Sequence, residues 1–383
     1  MRILYLVGQG EGGLPHYTAE LANAVAAEHD VIVMKPGRST ADELFDPAVE
    51  VREPFQSIDV SMSKLYNREV SPVAALRGMA SYREMRRITD LDVDIVHETT
   101  DLFPHVKLFA RVSGVDRSQP FVVTRHEVTM NRFSLSRPPV LAEELLMAML
   151  PAVDIDQTVV HTRRQKTALG KRRADWGRID VIPHGAYSVF GDGDSGAAPE
   201  PDTILFFGNL VPPKGVDTLI RAVPYITEEI PDLNVIIAGD GQIPRAVEPV
   251  IEADSEHFEI HNRFIPNGEV GNLFERAECV VLPYREQNGT KGHSGVLSTA
   301  FTFGKPVVAS TAGVFPEYVG ERGCGPVVPP EDPEQLAEAV VSVLRNPEER
   351  ERMAEASRAM ASELSWDTIA EKHVELYRRL LSD

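Results

Sequence analysis

The sequence predicts an α/β protein built from two doubly wound parallel sheets, and three observations point to that class. The chain has 383 residues, which at about 150 residues per domain argues for two domains. Short runs of apolar and β-branched residues alternate with helix-length segments. Strands that alternate with helices form parallel sheets with crossover helices. We expect two Rossmann-like domains that face each other across a cleft at the carboxyl ends of their strands, where such folds bind ligands.

The individual elements follow from the same pattern. Tyr17, Leu21 and Val25 have the spacing of one buried helix face. Helices are also predicted over 215–229 and 297–303, and three more over 333–345, 347–360 and 366–381 have no strand between them. The predicted strands are 3–7, 31–34, 95–97, 121–124, 158–161 and 181–182 in the first half, and 204–207, 235–238, 258–260, 280–282 and 307–309 in the second.

A stretch rich in Gly, Asp and Pro separates the two series of strands. Residues 188–202 show no periodicity and are predicted to be the interdomain linker. The expected domains are therefore 1–187 and 203–365. The final segment, 366–383, is expected to be a helix that can pack back on the N-terminal domain.

Composition and charge exclude several classes of protein. With 43% hydrophobic and 25% charged residues, the chain is an ordinary globular protein and not a disordered or fibrous one. No apolar run reaches the length of a membrane span, and the apolar start is too short for a secretory signal. Two cysteines suit a reducing compartment, so we expect a cytoplasmic protein. The net charge of −19 argues against nucleic acid as a partner.

The charge is distributed unevenly. The first 187 residues carry a net charge of −2 and the remainder −17. Two stretches of the first half, 64–87 and 163–178, are locally basic. They are either solvated helix faces or surfaces that attract an anionic acceptor or a phospholipid membrane. The second interpretation would place the protein at the inner face of a membrane as a peripheral protein.

A glycine-rich turn follows the first strand. Gly8, Gly10 and Gly13 fit the pattern G-x-G-x-x-G, in which glycines let a phosphate approach a helix N-terminus. A nicotinamide site would want an acid at the end of the second strand, which instead reads Met-Lys-Pro. Lys35 or Arg38 could take a 2′-phosphate, which keeps an NADP enzyme as an alternative. The other interpretations are a loop that gives a diphosphate or sugar room, and a tight turn that needs small residues.

Two further signals in the second half point to phosphate. Lys214 lies just before a predicted helix, where a cation opposes the helix dipole but can hold a phosphate presented to the helix start. Ser294 and Gly295 begin another helix, whose first N–H groups can bind an anion. No Asp-x-Asp pair stands at a strand end, so no metal ion is expected.

Motifs of the second half occur in a characteristic order, and thinner matches extend through the first half. In the second half they are Gly208 and Lys214 after the first strand, Gly239-Asp240-Gly241 after the second, Ala300 to Val308 with Gly304-Lys305-Pro306, and Gly313 to Glu317. The first half adds the Gly12-Gly13 loop, His16, His126 at a strand end, and Pro183-His184-Gly185. Together they resemble family-4 retaining glycosyltransferases with the GT-B fold.

The resemblance implies transfer of a sugar from a nucleoside-diphosphate sugar to a saccharide, lipid-linked or small-molecule acceptor, with retention at the anomeric carbon and no resident cofactor. It implies that Lys214 and His126 are catalytic, the first at the leaving diphosphate and the second across the cleft at the donor sugar. The alternative for His126 is a histidine that only packs in the core. Arg263 is either stacked on the base or an ordinary surface arginine. The implied donor-binding residues are Gly12, Gly13, Gly208, Asn209, Arg263, Lys291, Ser294, Gly295, Val296, Thr299 and Glu317.

The sequence departs from the family pattern at both carboxylates that usually contact the donor. Their places hold Lys291 and Thr299, and Asn209 replaces an arginine that often accompanies the loop lysine. Lys291 could reach phosphate or an acidic sugar, and Glu286 could substitute for a missing acid. The departures leave a catalytically degenerate GT-B binding protein as an alternative, besides the NADP-dependent oxidoreductase.

Overall fold

A computed structural model describes residues 1–58, 71–126, 128–129, 147, 149–171, 176–186, 197–286, 289–290 and 294–382. It divides the chain into two compact units. Unit 1 comprises Met1–Gly185, Asn288–His293 and Trp366–Asp383, and unit 2 comprises Ala186–Gln287 and Ser294–Ser365. None of the described helices combines the length and the apolar character that crossing a bilayer requires.

Unit 1 is built on a parallel sheet of seven strands in the order β3-β2-β1-β4-β5-β7-β8. Its strands β1, β4 and β5 are almost wholly buried, as expected for a parallel sheet covered on both faces. A separate antiparallel pair joins β6 to β13. The strands are β1 (Arg2–Leu6), β2 (Asp30–Pro36), β3 (Glu50–Phe55), β4 (Ile95–Glu98), β5 (Phe121–Arg125), β6 (Val128–Thr129), β7 (Gln157–Val160), β8 (Arg178–Val181) and β13 (Gly289–Thr290).

The helices of unit 1 lie between these strands, except for the last one, which comes from the end of the chain. That helix, α12 (Trp366–Ser382), packs against the first, α1 (Gly13–Ala26). Proline at the first or second position starts two of the others, where its missing N–H costs nothing. The remaining helices are α2 (Pro72–Ser81), α3 (Pro104–Ser113), α4 (Val115–Ser118) and α5 (Arg163–Gly170), with 3-10 turns at Asp42–Leu44 and Tyr82–Asp90.

Unit 2 repeats the architecture with a sheet of six parallel strands in the order β11-β10-β9-β12-β14-β15. Apolar clusters cover both faces of this sheet. The strands are β9 (Thr203–Phe207), β10 (Asn234–Ala238), β11 (Phe258–His261), β12 (Cys279–Leu282), β14 (Val307–Ser310) and β15 (Val327–Val328). The helices are α6 (Val216–Thr227), α7 (Glu248–Ala253), α8 (Asn267–Arg276), α9 (Gly295–Thr302), α10 (Pro333–Arg345) and α11 (Pro347–Glu363), with 3-10 turns at Pro212–Lys214, Arg245–Val247 and Ser255–His257 and a π turn at Pro316–Gly320.

The prediction of two parallel-sheet α/β domains is confirmed, with two strands added to the parallel sheets and the unpredicted pair of β6 and β13 beside them. Both β3 and β15 lie at the edge of their sheet, and neither was predicted. Residues 288–293, predicted to lie in the second domain, group with unit 1 because Gly289 and Thr290 pair with β6. Most of the predicted linker lies outside the described residues, so its role stays a prediction.

Candidate functional site

Two loops at the carboxyl edge of the unit 2 sheet are packed backbone against backbone. Gly208 follows β9 and its amide donates to the Ala238 carbonyl at 2.9 Å. Gly239 and Gly241 follow β10 with φ of 152° and 142°. A Cβ atom at Gly239 would lie 1.9 Å from the Gly208 oxygen, and one at Gly241 would lie 2.4 Å from the Leu210 oxygen. The glycines predicted from the motif therefore allow the two loops to touch.

Lys214 ends the 3-10 turn that follows β9, just ahead of α6. Gly215 has a φ of 69° and lets the chain turn into the helix. The Lys214 ammonium lies 3.9 Å from the ring centroid of Tyr284, a cation–π distance. In the part of the chain that the structure describes, no carboxylate lies within ion-pair distance of this ammonium. The site thus offers a cation whose charge is not neutralised by a described acid.

The start of α9 lies beside the same tyrosine. The Ser294 hydroxyl is 2.9 Å from the Tyr284 hydroxyl, and the Ser294 side chain caps no helix amide. Ser294 itself is buried, whereas Gly295 and Val296 are partly exposed. The first N–H groups of a helix have no partner within it, so the amides of Gly295 and Val296 remain for an anion. What α9 offers is therefore its backbone and not the serine hydroxyl.

The other predicted donor-binding residues of unit 2 differ in their burial and in their contacts. Thr299 is 2% exposed and donates its hydroxyl proton to the Gly295 carbonyl at 3.0 Å. The exposed Arg263 forms an ion pair with Glu269. Glu317 is half-buried in the π turn, and Asn209 is exposed beside Gly208. Lys291 lies outside the described residues, and the roles predicted for all of these residues stay predictions.

His126 follows β5 in unit 1, and its ring makes two polar contacts. Its Nε2 donates to the Thr99 carbonyl at 2.8 Å, and its Nδ1 lies 3.0 Å from Nε2 of His161. The ring of Tyr17 meets it edge-on at 4.7 Å between centroids. Burial lowers the pKa of His126 to about 3, so the imidazole is neutral near pH 7. Its predicted contact with the donor sugar stays a prediction.

The glycine-rich turn of unit 1 leads directly into α1. Gly12 has a φ of 79°, both it and Gly13 are exposed, and no side chain caps α1. The Thr40 hydroxyl donates to the Gly12 carbonyl at 2.7 Å. The turn therefore brings the N-terminus of α1 to the surface, where either ligand interpretation of the motif places the ligand.

Lys35 does not support the NADP alternative. Its ammonium is buried and lies within 3.1 Å of Glu53, Asp42 and the Pro36 carbonyl. An ammonium has three N–H donors, and these three acceptors can take all of them. The suggestion that Lys35 could hold a 2′-phosphate was wrong, because two acids occupy the place that a phosphate would need. Arg38 remains exposed.

Sequence reasoning missed two polar residues at the carboxyl ends of strands. Glu98, at the end of β4, is fully buried and accepts from the amide and hydroxyl of Thr100 and from the Asp101 amide. Burial, with Asp101 nearby, raises the pKa of Glu98 well above its usual value. Tyr284, two residues beyond β12, is 4% exposed. A buried strand that continues into His97, Glu98 and Thr99 was a signal for the first; a lone tyrosine in a loop gives none.

Metal ligands are not clustered in this chain as far as it is described. Among the described residues, no group of three or more His, Cys, Asp or Glu side chains is placed to hold an ion. The expectation that no metal is required stays a prediction.

The comparisons with known proteins agree on one enzyme class. Residues 192–360 match the family "Glycosyl transferases group 1". A phosphatidyl-myo-inositol mannosyltransferase of Mycolicibacterium smegmatis is 24% identical over 382 residues, covering 96% of this chain and 90% of that protein. A D-inositol 3-phosphate glycosyltransferase of Segniliparus rotundus is 26% identical over 221 residues, covering 54% of this chain and 48% of that protein. The chain thus spans about half the length of this second relative.

Solved structures show the same fold over the whole chain. Sucrose-phosphate synthase from Thermosynechococcus elongatus has a TM-score of 0.73 at 18% identity and covers 100% of both chains. Anabaena HepE in complex with UDP has a TM-score of 0.70 at 17% identity, covering 99% of this chain and 100% of that one. At these identities the likeness shows the fold alone. Residues 192–360 therefore form a group 1 glycosyl transferase domain, and the chain has the fold of the GT-B glycosyltransferases.

Proposed function

We propose that the chain transfers a hexose from a nucleoside-diphosphate sugar to a saccharide, lipid-linked or small-molecule hydroxyl, with retention at the anomeric carbon. The acceptor oxygen forms a bond to the anomeric carbon while the bond from that carbon to the diphosphate breaks. The nucleoside diphosphate departs with both electrons of the broken bond and takes up the proton of the acceptor hydroxyl.

One observation carries the proposal: the Lys214 ammonium sits on a neutral aromatic ring without a described carboxylate partner. The amides of Gly295 and Val296, the first two of α9, lie at the helix start beside the same ring. A cation and free helix amides fixed before the reaction favour charge that grows on a leaving diphosphate. One structural neighbour, Anabaena HepE, carries UDP in its own crystal, which supports this ligand class.

The donor is identified by a thermal-shift screen of the full chain with UDP-, GDP- and ADP-sugars, with NADP beside them. A ligand that binds only the folded state raises the melting temperature. We expect one nucleotide-sugar series to stabilise the chain and NADP to leave it unchanged. Transfer is then assayed with inositol phosphates, phosphatidylinositol and simple saccharides as acceptors, and the anomeric configuration of the product is read by NMR.

Lys214→Ala tests the assignment directly. We expect loss of nucleotide-sugar turnover by more than a hundredfold, because a charge-assisted contact to the leaving group is removed. Lys372→Ala, on α12 of unit 1, is the matched control and should keep full activity. Full turnover in Lys214→Ala would reject the phosphate assignment. Donor binding without turnover in the unaltered chain would favour the degenerate binding protein.

We also propose that unit 1 binds an anionic lipid surface. On the described part of the first basic stretch, Val73 and Leu76 of α2 are 59% and 64% exposed. Arg83, Arg86 and Arg87 follow them, with side chains 73%, 70% and 66% exposed, and all three share Glu84 as an ion-pair partner. Exposed apolar side chains beside several arginines favour attachment to anionic membranes. The Mycolicibacterium smegmatis relative, by its name, acts on a phosphatidylinositol, which supports a lipid setting.

Sedimentation of the full chain with phosphatidylcholine vesicles, with and without phosphatidylglycerol, tests this attachment. Binding should require the anionic lipid and fall as salt is raised. Replacing Arg83, Arg86 and Arg87 by serine should weaken binding more than tenfold, at about 1 kcal/mol per arginine. Replacing Arg322, Arg345 and Arg352 of unit 2 makes the same charge change elsewhere and should leave binding intact. Equal losses in both triple variants would contradict the proposal.

A further inference from the structure

Among the described residues, four contacts join Tyr284 to different segments of unit 2. Its ring lies under the Lys214 ammonium, and its hydroxyl is 2.9 Å from the Ser294 hydroxyl. Its carbonyl accepts a 2.6 Å hydrogen bond from the Ser310 hydroxyl, at the end of β14. Phe315, next to the π turn, meets the ring edge-on with 5.0 Å between centroids. The tyrosine is therefore fixed from its backbone, its ring edge and its hydroxyl.

The nature of these contacts matters for the lysine. A carboxylate partner would neutralise the Lys214 charge and compete with any incoming anion. A ring face holds an ammonium by about 0.5 to 2 kcal/mol and leaves its charge and its remaining N–H donors available. The cation is thus kept in place at little cost to its affinity for phosphate.

The hydroxyl end of Tyr284 acts on the other half of the same site. Ser294 is the residue just before α9, so a bond to its side chain fixes where the free helix amides begin. Through one buried side chain, the cation of one loop and the helix start of another keep a constant separation. A diphosphate that contacts both needs that separation set in advance.

We propose that Tyr284 is a positioning residue that holds the Lys214 ammonium and the N-terminus of α9 as one preformed diphosphate-binding unit. This inference rests on the proposed function, since it assumes that the two groups bind a diphosphate. The ring and the hydroxyl have separate tasks. Tyr284→Phe keeps the ring under the lysine and removes the bond to Ser294, whereas Tyr284→Leu removes both.

Titration calorimetry of the full chain with UDP, GDP and ADP measures the effect. For the nucleotide that binds, Tyr284→Leu should weaken affinity about tenfold, and Tyr284→Phe by a smaller factor. Ser294→Ala breaks the same hydroxyl contact from the other side, so combining it with Tyr284→Phe should add nothing further. Tyr225→Leu, at a tyrosine of α6 that is 45% exposed, is the control and should bind like the unaltered chain.

The decisive comparison uses a second background. If the ring acts through the lysine, Tyr284→Leu should cost no more affinity than Tyr284→Phe once Lys214→Ala is present, because only the hydroxyl contact to Ser294 is then left to lose. An equal loss in both backgrounds would show a merely structural role and overturn the inference. Unchanged affinity in both Tyr284 variants, with reduced affinity in Lys214→Ala, would overturn the inference and leave the proposed function standing. Unchanged affinity in Lys214→Ala, or no binding of any of the three nucleotides to the unaltered chain, would reject both.

Discussion

Gly215 shows how one residue without a side chain places a charged neighbour. It joins the turn that carries Lys214 to the first residue of α6, at a φ of 69°. An added Cβ atom would lie 2.0 Å from the Pro283 oxygen, and Pro283 directly precedes Tyr284. The loop with the lysine and the loop with the tyrosine are therefore in direct backbone contact at this position, and their spacing depends on a glycine.

Gly215→Ala should destabilise unit 2 by more than about 2 kcal/mol, because it adds left-handed backbone strain to a backbone clash. It should also weaken nucleotide affinity, since the clash moves Lys214 away from Tyr284. Gly268→Ala is the matched control: the glycine is helical and an added Cβ atom meets nothing within 4 Å. That variant should be neutral or slightly more stable. Calorimetric melting compares the two, and identical melting temperatures would contradict the argument.

At the scale of elements, α12 completes the core of unit 1 although it comes from the end of the chain. The hydroxyl of Tyr377 lies 2.6 Å from Nδ1 of His97 on β4, and Nε2 of His373 lies 3.3 Å from the Tyr17 hydroxyl on α1. All four side chains are fully buried. At Gly185 a Cβ atom would lie 2.5 Å from the ring of Trp366. Residue 185 must therefore lack a side chain for Trp366, the first residue of α12, to pack against it. Helix α12 therefore supplies both apolar area and hydrogen-bond partners to unit 1.

Tyr377→Phe should lower the free energy of unfolding of unit 1 by about 1 to 3 kcal/mol, because a ring nitrogen of buried His97 loses its partner. Tyr225→Phe removes a hydroxyl from a tyrosine that is 45% exposed and should change stability by less than about 0.5 kcal/mol. Both tryptophans of the chain, Trp176 and Trp366, belong to unit 1, so their fluorescence in a urea titration reports this unit. Equal midpoints for the two variants would contradict the assigned hydrogen bond.

At the scale of the whole molecule, the two units differ in the groups that acid will titrate. Burial lowers the pKa of the unit 1 histidines His105, His184 and His373 to about 4 and that of His126 to about 3. In unit 2, Arg276 holds the pKa of Glu259 at about 2. The buried histidines lose their stabilising effect as pH falls below about 6.5, whereas Glu259 loses its effect only below about 4.5.

Unit 1 should therefore unfold at a higher pH than unit 2 during acid titration. Each buried histidine lowers the free energy of unfolding by about 1.4 kcal/mol per pH unit between about 6.5 and its folded pKa. Glu98, with its raised pKa, opposes this trend, but it is one group against four histidines. Tryptophan fluorescence reports unit 1 alone, whereas far-ultraviolet circular dichroism reports both units. As the pH falls, the fluorescence should therefore change first, and a second step in the circular dichroism should follow when unit 2 unfolds. Coincident transitions would contradict this prediction.

Sequence pattern was sufficient for the central strands and most helices. The run at 204–207 and the observed β9 differ by one residue, and the helix over 333–345 has the observed bounds of α10. Central strands of a parallel sheet are buried on both faces, so their apolar runs are continuous. The edge strand β3 holds three charged residues and a proline among its six positions, and β15 has two residues. Neither leaves a continuous apolar signal, which is why both were missed.

The amino-acid sequence by itself determined that glycines, a lysine and a helix start follow particular strands. Each of these motifs is a short stretch of consecutive residues and can be recognised without the fold. The sequence also determined the class of fold, since buried strands and amphipathic helices leave a periodic pattern. Only the tertiary structure decided that Tyr284 touches Lys214, 70 positions earlier, and Ser294, ten positions later. Parallel strands bring their carboxyl ends to one edge of the sheet, and that convergence of distant loops is set by packing in three dimensions.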